Sequence, residues 1–144
     1  MVGESRMSAR ILVVDDDPDV LALTRMTLER AGFAVAVASG GLQAIEWLGS
    51  ETPDLVVLDV MMPQISGWEV LDFLKNNEAT AAVPVLMMTA RDKPDDVKVG
   101  YDYGARYYLT KPWRKEELLH GISVALGRPD LMPGGSPERG PGRS

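Results

Sequence analysis

The chain of 144 residues contains no cysteine. Disulfides, cysteine-ligated zinc, iron–sulfur clusters and thiol catalysis are therefore excluded together. No apolar run approaches the roughly 18–20 residues needed to cross a bilayer. The opening "MVGESRMSAR" lacks the apolar centre of a signal peptide, so a cytoplasmic location is the expectation. Positive charge is also short: the formal net charge is -6, and the Lys and Arg residues are scattered, which disfavours non-specific binding to nucleic acid or to an anionic membrane. Neither G-x-G-x-x-G nor G-x-x-x-x-G-K-[ST] occurs, so there is no recognisable nucleotide-binding loop. His120 is the only histidine. It falls in a helical segment with no bundle around it, and no phosphotransfer role is assigned to it.

What is present suits one globular domain, because the length supports a continuous core but not two ordinary ones. Residues 1–8 are expected to be a flexible N-terminus and 9–128 the folded body. Residues 129–144, rich in Gly, Pro and Ser, read as a disordered tail or the start of a linker.

Within the body, short apolar runs alternate with segments of helical period. Strands are predicted over 10–14, 33–38, 54–59, 83–89 and 105–110. Helices are predicted over 18–32, 39–50, 68–77, 94–104 and 113–127. In the first helix Pro18 suits the first helical position and Gly32 the exit, with Val20, Leu23, Thr24, Thr27 or Leu28 and Ala31 facing inwards. In the second, Leu42, Ile45 and Leu48 or Trp47 face inwards. Several strands are apolar on both faces, as buried parallel strands are when helices cover both sides. The expected class is α/β, a (βα)5 doubly wound parallel sheet.

Such sheets bind ligands beyond the carboxyl ends of their strands. The residues there are Asp15 and Asp16 after the first strand, Asp59 at the end of the third, Thr89 after the fourth and Lys111 after the fifth. Three acids converging on one edge call for a cation, and oxygen donors without His or Cys suit Mg²⁺. With a hydroxyl from Thr89 and an ammonium from Lys111, the set describes a phosphoryl site. Asp59 is the candidate nucleophile, forming an aspartyl phosphate, with Lys111 pairing a phosphoryl oxygen. Asp17 and Asp19 lie in the first turn of a helix, where the dipole favours acids, and read as capping residues.

The blocks "ILVVDDDPDV", "DLVVLDVMMPQISGWEVL", "VPVLMMTA" and "GARYYLTKPWRKEELL" resemble bacterial response-regulator receiver domains over roughly residues 9–127. The resemblance implies a CheY-like, flavodoxin-like sheet of order 2-1-3-4-5. It implies that Asp59 accepts a phosphoryl group from the phosphohistidine of a sensor histidine kinase, or from a phosphotransfer protein or a small donor. Asp16 would ligate Mg²⁺ directly and Asp15 partly through water, with the backbone carbonyl of Met61 as a third protein ligand. Thr89 and Tyr108 would form the switch, Lys111 would contact the phosphoryl group, and the Lys111–Pro112 bond would be cis. The face formed by the fourth helix, the fifth strand and the last helix would then change shape and be read by a downstream protein. Regulated self-phosphorylation, rather than turnover of an external substrate, is the implied chemistry.

Two features qualify the resemblance. Glu116 stands where a family of DNA-binding relatives carries a dimerising arginine, so a monomer or a weak dimer is expected, with no direct nucleic-acid contact. Met61 and Arg91 offer no carboxylate or amide to orient water, which suggests a long-lived phosphoryl group. The alternatives are a pseudo-receiver scaffold that is never phosphorylated, and a Mg²⁺-dependent phosphohydrolase, which would want a further general acid and a cap.

Overall fold

The computed structural model describes residues 9–90 and 104–128. Its elements run β1 (Arg10–Val14), α1 (Pro18–Arg30), β2 (Ala34–Ala38), α2 (Gly41–Leu48), β3 (Leu55–Asp59), α3 (Gly67–Asn76), β4 (Val85–Ala90), β5 (Tyr107–Lys111) and α4 (Lys115–Leu126). The predicted helix over 94–104 lies almost wholly outside the described residues. Its expected terminal glycine, Gly104, is described and takes a positive φ of 101°, a conformation glycine reaches without penalty.

All five strands are parallel, in the order β2-β1-β3-β4-β5. The predicted architecture is therefore observed. The apolar runs do not alternate because each strand feeds two cores. Leu12, Val14, Val56, Leu58, Val85 and Met87 point to a layer shared with Ala44, Leu48, Val70, Leu71 and Leu74 of α2 and α3. Ile11, Val13, Leu55, Val57, Leu86 and Met88 point the other way, onto Leu28 of α1 and Leu118, Leu119 and Ile122 of α4. A period of two divides every strand between the layers, so both halves must be apolar.

Helix faces were read less well than strands. Thr24 and Leu28 are the buried residues of α1, whereas Leu23, expected inside, is 51% exposed. In α2 the buried positions are Gly41, Ala44 and Leu48, and Leu42 is 55% exposed. The error has one cause. A surface helix on an open sheet buries a narrow stripe, and a leucine one position off that stripe faces water at little cost.

Helix starts are chemically explicit. Asp17 accepts hydrogen bonds from the backbone N–H groups of Asp19 (2.9 Å) and Val20 (3.4 Å), with Pro18 opening α1. Ser66 and Glu69 form a capping box at the start of α3.

The next residue, Gly67, joins that helix to the end of β3. Its N–H donates to the Val60 carbonyl at 2.9 Å. A methyl group there would overlap the Asp59 carbonyl oxygen and lie 2.9 Å from Val60 Cα. Both obstacles are backbone and cannot rotate away. Gly67→Ala is accordingly expected to cost about 1–3 kcal/mol by overpacking, read as a lower urea midpoint, with amide shifts concentrated around Asp59.

Candidate functional site

The register of the sheet assembles the site. Asp59 pairs with Met88, Thr89 with Thr110 and Ala90 with Lys111, so the ends of β3, β4 and β5 reach one edge together. Asp15 follows β1 at the same edge and is tied to β2 by its N–H donating to the Ala38 carbonyl at 3.2 Å. One carboxylate oxygen from each of Asp15, Asp16 and Asp59 lies within 4.8 Å of the others. Asp15 is fully buried and Asp59 is 4% exposed, while Asp16 faces solvent.

Lys111 is the counter-charge. Its Nζ lies 3.1 Å from Asp59 Oδ1 and 3.4 Å from Asp15 Oδ2. The other oxygen of Asp15, Oδ1, accepts the N–H of Asp17 at 2.9 Å. That bond links the acid pair to the start of α1. The Lys111–Pro112 peptide is cis, as the family resemblance implied.

Burial and repulsion dominate the electrostatics. Burial, then the neighbouring Asp15 charge, push the Asp59 carboxyl up to about 6, against the opposing pull of Lys111. Burial likewise raises Asp15, while the Asp17 N–H and Lys111 pull it down. Burial alone would lower Lys111, but the two carboxylates outweigh it and hold the ammonium above its ordinary value. One lysine thus compensates incompletely for two buried acids. The triad is positioned to coordinate a divalent cation, and its all-oxygen donor set fits a hard ion.

Of the two residues expected to form a switch, Thr89 is 2% exposed, and its hydroxyl finds no hydrogen-bond partner among the described residues. Tyr108 is half-buried and packs on the layer formed with α2 and α3. Tyr107 packs on the opposite layer, its ring edge-on to exposed His120 at 6.1 Å between centroids. Gly121 makes room for it: a methyl there would stand 2.8 Å from the Tyr107 ring. Met61, two residues after Asp59 in sequence, is 58% exposed, and Arg91 lies outside the described residues.

Asp17 caps α1 as expected and does not join the acid cluster. Thr80, a second buried threonine, is already satisfied by the Leu74 carbonyl at 2.8 Å and belongs to the end of α3. The residue undervalued by sequence was Gly67. Its place in "MMPQISG" marked only a loop end, and the close approach to the Asp59 carbonyl needs the fold to be seen.

Fold and acid cluster together define a class, the receiver domains of two-component signalling. The response regulator receiver domain family matches residues 11–123, and the chain belongs to it. It is 41% identical over 124 residues to the DNA-binding dual master transcriptional regulator RpaA of Synechocystis sp. (strain ATCC 27184 / PCC 6803 / Kazusa), covering 86% of this chain and 52% of that protein. It is 43% identical over 122 residues to the response regulator MprA of Mycobacterium tuberculosis (strain ATCC 25618 / H37Rv), covering 85% and 52%. The chain thus spans about half the length of these relatives. Among solved structures, a response regulator from Chloroflexus aurantiacus J-10-fl superposes with a TM-score of 0.80 at 30% identity, covering 84% of this chain and 99% of that one. The chemotaxis protein CheY4 of Vibrio cholerae superposes at 0.77 and 29%, covering 82% and 98%. No helix among the described residues is long and apolar enough to cross a membrane.

The raised Asp59 carboxyl has a consequence for stability. It is pushed up to about 6 in the folded state, against an ordinary carboxyl value of 3.8. The folded state therefore keeps a proton that the unfolded state has released, and this contribution is full below about pH 4. It is lost as pH rises to about 6. Without divalent cations, the urea midpoint should fall across that window. Asp59→Asn should flatten this part of the profile and stabilise the protein at pH 7 by about 1–3 kcal/mol. A midpoint that instead rises from pH 4 to 6, with Asp59→Asn less stable than the parent, would contradict this electrostatic picture.

Proposed function

We propose that the chain is a phosphorylation-controlled receiver in which Asp59 accepts a phosphoryl group, Mg²⁺ assists, and Thr89 with Tyr108 transmits the change. The observation that carries this reading is the buried Asp15–Lys111–Asp59 cluster at the edge where the Thr89 hydroxyl has no partner among the described residues. A buried hydroxyl without a partner costs about 1–3 kcal/mol, a cost that a phosphoryl oxygen arriving at that edge would offset.

In the proposed transfer an Asp59 oxygen attacks phosphorus. The new P–O bond forms as the bond from phosphorus to the donor breaks, and the electron pair leaves with the donor. That donor is the phosphohistidine nitrogen of a sensor histidine kinase or phosphotransfer protein, or the acyl oxygen of a small acyl phosphate. Lys111, whose Nζ lies 3.1 Å from Asp59 Oδ1, would pair with the added charge of about -1.5 to -2. Asp15 and Asp16, with Asp59 and the Met61 carbonyl, are the residues assigned to hold the ion. Bound there, Mg²⁺ would relieve the repulsion among the acids and neutralise phosphoryl oxygens.

Thr89 would then turn its hydroxyl to a phosphoryl oxygen, and Tyr108 would move into the vacated space. The altered face would include β5 and α4, to be read by a protein partner. A cognate kinase is the partner that membership of the family supports. The all-acid, lysine-compensated site gives no specific support to a hydrolase or to a scaffold without phosphorylation.

Intact-protein mass spectrometry after incubation with acetyl phosphate tests the assignment. One phosphoryl group should be gained only with Mg²⁺ present and should be absent in Asp59→Asn. Retained incorporation in folded Asp59→Asn would remove Asp59 as the acceptor. Thr89→Ala should still take up the group, yet lose the phosphorylation-dependent change in the Tyr108 ring signals by NMR. An unchanged Tyr108 response in Thr89→Ala would uncouple the two residues.

A further inference from the structure

The sheet has an open edge at β2. The Ala34 N–H donates to the Ala9 carbonyl at 3.0 Å, and the Ala38 carbonyl accepts the Asp15 N–H at 3.2 Å. Backbone groups of successive strand residues face opposite sides. Ala34, Ala36 and Ala38 therefore bond toward β1, and the N–H and C=O of Val35 and Val37 face away from it. No strand among the described residues pairs with that outer side.

Helices cover the faces of β2 but leave its backbone edge open. Val35 and Val37 pack on the layer built with α1, and Ala36 on the layer built with α2. A groove of about 300 Å³ nevertheless takes in Ala34, Val35 and Ala36 together, walled by Arg10, Trp47 and Glu51. Consecutive strand residues point to opposite faces, so a groove that touches all three runs along the backbone between them.

Exposed edges are commonly guarded by lysine, by proline or by a bulge. β2 reads AVAVA, and it pairs with β1 residue for residue, without a bulge. The run reads the same in both directions, which makes it complementary to itself about a two-fold axis. Laid antiparallel on a second copy with Ala36 on the axis, Val35 meets Val37, Ala34 meets Ala38 and Ala36 meets its own copy. Val35 and Val37 are then the hydrogen-bonded pairs, and each outward N–H finds an outward C=O. The central Ala36 pair is the close, non-bonded kind, with Cα atoms about 4.5 Å apart, where a small side chain fits. No charge along the strand is brought against a like charge.

We propose that a second copy of this chain docks on β2, joining the two sheets edge to edge through antiparallel pairing of Val35 with Val37. A strand of five residues supplies too little contact to reach the roughly 1,200–2,000 Å² of a stable interface, so the dimer forms only as concentration rises. Antiparallel pairing points the strand ends of the two copies in opposite directions, and both acid clusters stay open.

The absence of native cysteine makes the register testable. Ala36→Cys sets each thiol opposite its own copy, at a Cα separation that a disulfide accepts. Ala34→Cys sets the two thiols at opposite ends of the pairing, although Ala34 is the exposed residue. Under mild oxidation Ala36→Cys should form covalent dimer several-fold faster than Ala34→Cys. In the unsubstituted chain, the Val35 and Val37 amides should shift and gain protection from hydrogen exchange as concentration rises, which reads the dimer without any variant. Three results would overturn the proposal. Ala34→Cys could link as fast as Ala36→Cys, which would mean random collision. The Val35 and Val37 amides could be indifferent to concentration. They could also be fully protected in the dilute chain, which would mean that the chain covers its own edge.

Discussion

Two buried carboxylates sharing one lysine are the constraint around which this molecule is built. Asp15 and Asp59 are removed from water at the sheet edge, and Lys111 touches both. Burying like charges is costly, and one ammonium offsets the cost in part. The remainder is held as a raised Asp59 carboxyl. Such a site is positioned to coordinate a divalent cation, because a positive charge there offsets a balance that is already unfavourable.

The rest of the fold keeps those groups from relaxing apart. β1 and β3 are central strands, buried on both faces by two separate cores, and a packed strand cannot retreat to separate its terminal acid from the next. Loop chemistry tightens the arrangement further. The Asp17 N–H holds one Asp15 oxygen, and the α3 start presses its glycine against the Asp59 carbonyl. Strain at the site is thus opposed by hydrophobic burial elsewhere, a common bargain in functional sites.

The same architecture separates two tyrosines that are neighbours in sequence. Tyr107 and Tyr108 alternate across β5, so one meets α4 and the other meets the layer built with α2 and α3. Thr89 and Tyr108 lie on the adjacent strands β4 and β5. On the Tyr107 side a glycine in mid-helix, Gly121, receives the ring.

Much of this was legible in the residues alone, and for identifiable reasons. Five apolar runs separated by helical segments determine a parallel sheet covered on both faces, since only that arrangement buries strands with no polar side. Polar residues at the ends of those runs follow as the site, because strand ends share an edge. Asp15, Asp16, Asp59 and Lys111, which the fold brings together, were legible that way. The exposure of Leu23 and Leu42 was not legible, because a helical period fixes spacing but leaves the phase of the buried stripe to its neighbours. Nor was the steric demand on Gly67, or which oxygen of each acid Lys111 would meet. Those were decided only by tertiary structure, since they depend on distances between segments far apart in the chain, and pattern along one segment carries no such distance.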